Sequence, residues 1–302
     1  MGEGPVFLAG ADRSGVGLLG ELLEQHPNLA IARRINFFSF YDRRFGDLGK
    51  RDNLERAVTA MMRYRRVQDL GTNSGEWLAE LRAGGLNYHR LLGVLLCQYA
   101  RRTGKLRWGD KSINTERYAD RIFTYFPHAE MIHVIRDPRD RYASQVHHRT
   151  AGRGRVGSGA ALWLSSVRWG RRNLRRYPGG YLLVRYEDLV VRPRSTLEEV
   201  CRFLEEEFSE RMLLDPAHDG PRRFTDASIG RYRRDLATGD ANFIELVAGR
   251  QMAHFGYGVD EESPGRALGS APLNLLRMAG WWLSRRLGDS RLSPSARRLA
   301  AG

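Results

Sequence analysis

The stretch that decides the fold lies at residues 6–17 and is Val6-Phe7-Leu8-Ala9-Gly10-Ala11-Asp12-Arg13-Ser14-Gly15-Val16-Gly17. Its first four residues form a short apolar run that ends at a glycine, which is typical of a buried strand. Leucines then recur at helical spacing until Pro27, at Leu18, Leu19, Leu22 and Leu23. The stretch therefore predicts a strand, a glycine turn and a helix, with backbone N–H groups and the helix dipole converging on one anion.

The same loop also matches the spacing of a nucleoside-triphosphatase loop, because Gly10 and Gly15 fit G-x-x-x-x-G. In that loop the next two positions carry Lys and Ser or Thr, whereas this chain has Val16 and Gly17. The phosphate lysine and the magnesium hydroxyl are both missing, and Arg13 supplies a fixed positive charge instead. The loop thus favours anion binding without a metal, and a metal-dependent kinase or ATPase with an atypical loop is the alternative.

The rest of the chain alternates between strand and helix patterns. Such alternation indicates an α/β fold of three layers, α/β/α, with a central parallel sheet. His133 lies in one predicted strand and is expected to be a core histidine with its hydrogen bonds satisfied. The predicted elements are strands at 131–135 and 181–186, helices at 53–68 and 86–102, a helix opened by a capping box at Ser195, and a glycine-rich loop at 152–159.

A second anion site is predicted where the strand at 131–135 ends. Arg136 follows this strand directly, and Asp137-Pro138 marks the start of the next helix. Ligands of open α/β sheets bind at the carboxyl ends of the strands, and Ser144 lies about two turns into that helix. Arg136 and Ser144 are therefore expected to reach one phosphate at this edge of the sheet.

Four segments together resemble the bacterial type of sulfotransferase that uses 3′-phosphoadenosine-5′-phosphosulfate (PAPS). Residues 12–19 are similar to the family's P-[RK]-S-G-T-T-L-L, and Arg136 and Ser144 stand eight positions apart, like the Arg and Ser of its second motif. Residues 108–112 are similar to W-G-[DE]-K-[ST], and residues 185–189 match a further segment. The resemblance runs from about residue 5 to 258 and implies the P-loop-like sulfotransferase fold.

The resemblance implies transfer of a sulfuryl group from PAPS, as co-substrate, to a hydroxyl or amine of an unidentified acceptor. It also implies which residues bind the two ends of PAPS. Residues expected at the 5′-phosphosulfate are Arg13, Ser14 and Gly15, together with the backbone of Val16 and Gly17. Those expected at the 3′-phosphate are Arg136, Ser144 and, from a late basic loop, Arg231.

This chain departs from the family at the residues that typical members use for catalysis. Many members carry a catalytic glutamate in a segment similar to K-E-x-x-F-F, and here Arg34 occupies its position. Lys111 is the candidate for the movable cation at the leaving group, and Arg13 is a further catalytic candidate. Asp110 is the candidate base. Because two threonines are also replaced, by Val16 and Gly17, a fold that binds the donor but has lost turnover is a further alternative.

The charge of the chain favours an anionic partner. The 302 residues carry a formal charge of +14, and only three of the 49 basic residues are lysines. Nucleotide phosphates, nucleic acid and a membrane surface would all fit. The basic residues are dispersed and belong to no nucleic-acid motif, so a noncatalytic nucleic-acid-binding protein ranks last and no nucleic acid is expected. Cys97 and Cys201 lie in apolar helical patterns, which predicts core packing and neither a disulfide nor a metal site.

We expect a sulfotransferase domain at 1–260 and a tail at 261–302 that contains one apolar segment. This segment, 273–287, contains Trp281 and Trp282 and is flanked by arginines, which is the composition of an interfacial amphipathic helix. Peripheral membrane contact, packing on its own domain and a homodimer contact all fit that composition. No export signal or membrane span is predicted, so the expectation is a cytoplasmic enzyme acting on a small-molecule, carbohydrate or lipid acceptor.

Overall fold

The computed structural model describes residues 4–148, 155–215, 222, 224–258 and 271–288. The strands within these residues are β1 (Val6–Ala9), β2 (Leu29–Arg33), β3 (Arg107–Lys111), β4 (Glu130–Ile135) and β5 (Tyr181–Arg185). The α-helices are α1 (Val16–Glu24), α2 (Phe37–Phe40), α3 (Arg51–Met62), α4 (Arg65–Gln68), α5 (Ser74–Arg82), α6 (Tyr88–Arg102), α7 (Ala119–Tyr125), α8 (Pro138–His147), α9 (Val156–Arg176), α10 (Tyr186–Val191), α11 (Pro193–Phe203), α12 (Tyr232–Asp235), α13 (Thr238–His254) and α14 (Ala271–Gly288). Two 3-10 helices cover Thr115–Tyr118 and Glu210–Leu213.

The five strands form one parallel sheet in the order β2-β3-β1-β4-β5, which confirms the predicted α/β architecture. From β1 the chain first builds β2 and β3 on one side and then crosses to β4 and β5 on the other. The connections therefore diverge beside β1, and this is where ligands of open α/β sheets bind. The ends of β3, β1 and β4 are brought next to one another.

Apolar clusters cover both faces of the sheet because alternate residues of each strand point to opposite sides. Phe7 belongs to the same buried cluster as Trp77 and Leu95 on one face, whereas Leu8 belongs to a cluster with Leu19 and Leu197 on the other. His133 on β4 is fully buried and lies within hydrogen-bond distance of Ser166 and Tyr181, as expected for a satisfied core histidine. Burial lowers the pKa of this imidazole.

Two helix boundaries differ from those predicted. The helix expected over 53–68 is wrong, because α3 and α4 are separated at Tyr64, whose backbone is extended (φ −85°, ψ 117°). The capping box at Ser195 is also wrong, since α11 already begins at Pro193 and the Ser195 hydroxyl donates to the carbonyl of Arg192. Proline fits the first turn of a helix, where its missing N–H has no intrahelical partner to lose.

The loop predicted at 152–159 is wrong in its described part, because Val156 to Gly159 belong to α9. Its glycines permit close packing there and do not mark a turn. A Cβ on Gly157 would lie 2.1 Å from the carbonyl oxygen of Asn274 in α14, and one on Gly159 would lie 2.7 Å from the ring of Tyr142. Residues 152–154 lie outside the described part of the chain.

Helix α14 therefore packs on α9 with one side. Asn274 is buried at this contact, whereas the other side exposes leucines, among them Leu276, which is 70% exposed. Helix α14 thus packs on the protein's own fold with one side. Contact of its exposed side with a membrane or with a second copy of the chain stays a prediction. In the described ranges, no helix combines the length and the apolar character needed to cross a bilayer.

Candidate active site

A cavity of about 220 Å³ opens at the carboxyl edge of the sheet, and residues after the ends of all five strands line it. Four of these residues are cationic and one is anionic, so the cavity suits an anion with several charges. We call it the cationic cavity. It is lined by Ala11, Asp12, Arg13, Gly15, Val16, Gly17, Leu18, Arg34, Lys111, Ile113, Arg136 and Tyr186.

The loop between β1 and α1 has the geometry of an anion cradle. Gly15 precedes α1 with a left-handed backbone (φ 99°), and a Cβ there would lie 2.3 Å from the ring of Tyr186, so only glycine fits. No side chain caps the helix, which leaves the N–H groups of Val16, Gly17 and Leu18 without intrahelical partners. These donors and the helix dipole favour a phosphate or sulfate group.

Arg13 joins the two anion sites predicted from the sequence. Its Nε donates to Ser144 Oγ at 3.1 Å, and its carbonyl accepts a hydrogen bond from Nη1 of Arg136 at 3.3 Å. Ser14 is buried and supports the turn, because its N–H donates to the carbonyl of Ala11 at 3.1 Å. The structure thus brings Arg13, Ser144 and Arg136 together at one edge of the sheet.

Arg136 is only 5% exposed, and its guanidinium is held in a fixed orientation. Nη2 donates to the carbonyl of Ser228 at 2.7 Å, and the guanidinium carbon lies 4.3 Å from the ring centre of Tyr186. Among the described residues its buried Nε has no hydrogen-bond partner. Burial lowers the pKa of this arginine. Asp140 and Glu187 offset part of this effect, and a bound anion would add a further compensating charge.

The late loop predicted at 228–234 contacts Arg136 through the carbonyl of Ser228, but Arg231 is not part of the cavity wall. Its Nε and Nη2 both donate to one carboxylate oxygen of Asp235, at 2.8 and 2.6 Å. The loop is held by Asp140 of α8, which accepts hydrogen bonds from the N–H groups of Gly230 and Tyr232. The role of Arg231 at the 3′-phosphate stays a prediction that requires this ion pair to open.

Arg141 is a supporting residue that the sequence analysis missed. It is fully buried in α8, where Nη1 donates to the carbonyl of Asp12 at 3.0 Å and Nη2 donates to the carbonyl of Gly159 at 2.7 Å. Burial lowers its pKa to about 10. The sequence pattern that could have identified Arg141 is a helix rich in charged residues directly after a buried strand. Such a helix lies inside the fold, so its charges need partners within the protein.

Lys111 ends β3 and lines the cationic cavity. A Cβ on Gly20 of α1 would lie 2.6 Å from Cδ of Lys111, so this glycine leaves room for the lysine stem. Burial and the charges of Arg33 and Arg34 lower the pKa of Lys111. Its ammonium forms no hydrogen bond with any residue that the structure describes. The donors of Lys111 are therefore available to a ligand.

Asp110 lies on the opposite face of β3 and does not line the cationic cavity. It is buried and accepts a hydrogen bond from Ser112 Oγ at 3.2 Å. Burial raises the pKa of Asp110 to about 7. This carboxyl group therefore lies outside the cationic cavity, and its role as the base stays a prediction.

Asp110→Asn tests both the environment and the role of this carboxyl group. Its folded-state pKa lies above the ordinary value of 3.8, so the wild type loses stability as pH rises from about 4 to about 7, where only the unfolded chain releases the proton. Asparagine has no proton to release. We expect the variant to gain about 2–4 kcal/mol relative to the wild type across this window, measured by urea unfolding. If the free energy of unfolding changed with pH by the same amount in the wild type and in the variant, the raised pKa would be contradicted. Unchanged turnover of the variant would exclude Asp110 as the base.

A second cavity, of about 370 Å³, lies between α9, α14 and the 3-10 helix at Thr115–Tyr118. Three indole rings, those of Trp169, Trp281 and Trp282, line it, and we call it the aromatic cavity. Glu116 joins the aromatic cavity to the loop between β1 and α1, and the sequence analysis also missed this residue. Its Oε2 accepts a hydrogen bond from the N–H of Gly10 at 3.1 Å, and its Oε1 accepts one from the Ser166 hydroxyl at 2.6 Å.

A parallel sheet, the loop between β1 and α1, and the cations at the carboxyl edge of the sheet define a P-loop-like α/β protein with a site for an anionic group. Residues 5–210 match the family model described as Sulfotransferase family, and the chain belongs to this family. Among curated proteins, no sequence matches the chain.

Three similar solved structures share the fold. The sulfotransferase domain of the Synechococcus PCC 7002 olefin synthase has a TM-score of 0.57 and 21% identity, covering 84% of this chain and 95% of its own. The sulfotransferase domain from the curacin biosynthetic pathway has a TM-score of 0.52 and 22% identity, with 92% and 96% covered. Sulfotransferase STF9 from Mycobacterium avium has a TM-score of 0.50 and 16% identity, with 86% and 79% covered.

Proposed function

We propose that the protein transfers a sulfuryl group from PAPS to a hydroxyl or amine of an acceptor. The observation that carries this proposal is the cationic cavity, in which Arg13 contacts Arg136. Arg13 also donates to Ser144, which is buried and does not itself line the cavity. Two anion sites on adjacent strand ends suit a donor with a phosphosulfate at one end and a phosphate at the other. Membership of the sulfotransferase family supports the same donor.

In the proposed complex, the first-turn N–H groups of α1 and Arg13 hold the 5′-phosphosulfate, and Arg136 and Ser144 hold the 3′-phosphate. Val16 is buried in the core and Gly17 faces open space, so the backbone replaces the threonine hydroxyls of typical members. During transfer, negative charge grows on the oxygen that leaves with the nucleotide. Lys111 and Arg13 stabilise it, because preorganised cations act most strongly where charge develops.

The aromatic cavity binds the carbon skeleton of the acceptor in this proposal. Its volume falls within the range of about 300–1,000 Å³ that is usual for small-molecule sites. Ile113 lines the cationic cavity and Asn114 lines the aromatic one, so consecutive residues after β3 contribute to the two walls. Indole faces suit ring systems and hydrocarbon chains, which carbohydrate, phenolic and lipid alcohols provide.

The direct test incubates the protein with PAPS and a panel of phenols, sugars and lipid alcohols and detects sulfated products by mass spectrometry. In parallel, isothermal titration calorimetry measures binding of adenosine 3′,5′-bisphosphate. We expect bisphosphate binding without magnesium and at least one sulfated product. No bisphosphate binding, together with magnesium-dependent ATP binding, would favour the kinase or ATPase alternative. Binding without transfer would favour a fold that has lost turnover.

A further inference from the structure

Asp12 is the one carboxylate among the residues that line the cationic cavity. It lies directly after β1, and its side chain is 24% exposed. Its carbonyl accepts the hydrogen bond from Arg141, and the next residue, Arg13, is bound to Ser144. The backbone on both sides of the carboxylate is therefore fixed relative to the cations.

Arg34 faces Asp12 from the end of β2, with Nη2 3.8 Å from Oδ1 of Asp12. Arg34 is held there by its own backbone, because its N–H donates to the carbonyl of Lys111 at 2.7 Å and its φ of 57° is left-handed. A left-handed backbone is costly for a residue other than glycine. The cation at the end of β2 thus faces a carboxylate at the end of β1.

Two other carboxyl groups near the loop, those of Asp110 and Glu116, are already engaged. Asp110 lies on the far side of β3, and Glu116 accepts hydrogen bonds on both oxygens, from Gly10 and Ser166. Asp12, by contrast, accepts no side-chain hydrogen bond from any residue that the structure describes. Its oxygens are available to a group that enters the cavity.

We propose that Asp12 is the general base of the transfer and that Arg34 is a positioning residue that orients it. This inference rests on the proposed function. The acceptor O–H proton passes to a carboxylate oxygen of Asp12 while the acceptor oxygen bonds to sulfur. The bond between sulfur and the bridging phosphate oxygen breaks, and its electron pair leaves with the nucleotide toward Lys111 and Arg13. Asp12 then returns the proton to water.

The test compares wild type with Asp12→Asn in single-turnover sulfuryl transfer from radiolabelled PAPS to phenol and to 4-nitrophenol. In mildly alkaline buffer 4-nitrophenol is largely ionised and needs no base, whereas phenol still carries its proton. We expect the variant to lose about 100-fold or more with phenol and less than about 10-fold with 4-nitrophenol. Where neither phenol is a substrate, the readout is the slow transfer of the sulfuryl group to water, which requires the same proton acceptor.

Binding of adenosine 3′,5′-bisphosphate separates this inference from the proposed function. Asp12→Asn should bind it as tightly as wild type or more tightly, because a negative charge is removed from a phosphate site. The matched control, Asp52→Asn, changes an exposed carboxylate on α3 and should behave as wild type. Arg34→Gln should lower the rate with phenol by about 10-fold through loss of orientation.

Three results would overturn the inference alone. The first two are transfer by Asp12→Asn at the wild-type rate and equal losses with both phenols. The third is loss of bisphosphate binding in this variant, which would assign Asp12 to donor binding and not to proton transfer. A wild type that neither binds the bisphosphate nor releases sulfate from PAPS would overturn the proposed function and this inference with it.

Discussion

Arg136→Ala is expected to weaken binding of adenosine 3′,5′-bisphosphate by about 100-fold or more, because each charge-assisted hydrogen bond to a phosphate contributes about 1.5–3 kcal/mol. The effect is large because the guanidinium is preorganised. Its contacts with Ser228 and Tyr186 fix its plane, so little entropy is lost when the phosphate binds. Isothermal titration calorimetry of the purified variant measures the loss, and circular dichroism confirms that the buried substitution leaves the fold intact.

Arg136→Lys provides the chemically closest comparison. Lysine keeps the charge but loses the planar donors and the stack on Tyr186, so a loss of about 10-fold is expected. The matched control is Arg63→Ala, which changes an exposed arginine directly after α3 and should bind as wild type. If Arg136→Ala bound the bisphosphate with wild-type affinity, the assignment of the 3′-phosphate to this residue would be wrong.

The loop at 10–17 and the position of Arg136 could be predicted because both depend on neighbouring residues. An apolar run, a glycine and leucines at helical spacing determine β1, its turn and α1 without long-range information. The same holds for β4 and the Asp137-Pro138 helix start. These two junctions were enough to predict the sheet edge at which the cationic cavity lies.

The contacts that complete the site could not be predicted because they join distant parts of the chain. Nothing local to Arg141 shows that it supports the carbonyl of Asp12, and nothing local to Glu116 shows that it binds the N–H of Gly10.

Asp110 illustrates a different difficulty. Strand alternation implies that Asp110 and Lys111 point apart, but which of them faces the ligand depends on the packing of α1 against β3.

The glycines of α9 show how composition misled the prediction. A glycine-rich segment favours a loop when only local preference is considered. In the structure, Gly157 and Gly159 lie at positions where another backbone or a ring approaches too closely for any side chain. The need for close packing of α9 against α14 at Gly157 and against α8 at Gly159 thus outweighs the helix-destabilising preference of glycine, which amounts to about 1 kcal/mol per residue.

Lys111→Met is expected to lower kcat by about 100- to 1,000-fold while changing the affinity for adenosine 3′,5′-bisphosphate by less than about 10-fold. The reason is that Lys111 acts on charge that develops only as the bond to sulfur breaks, so the ground-state complex depends on it less. Methionine preserves the length of the stem over Gly20 and removes only the ammonium. Steady-state kinetics with the best acceptor of the panel, combined with calorimetry, separate the two effects.

The other two lysines of the chain provide the controls. Lys50 is exposed before α3, so Lys50→Met should leave both kcat and affinity unchanged. Lys105 donates to the carbonyls of Glu24 and Leu29 at the opposite end of the sheet, so Lys105→Met should lower the melting temperature but not kcat of the folded protein. If Lys111→Met instead raised KM with kcat unchanged, the lysine would bind substrate and transition state equally, and its role as the leaving-group cation would be wrong.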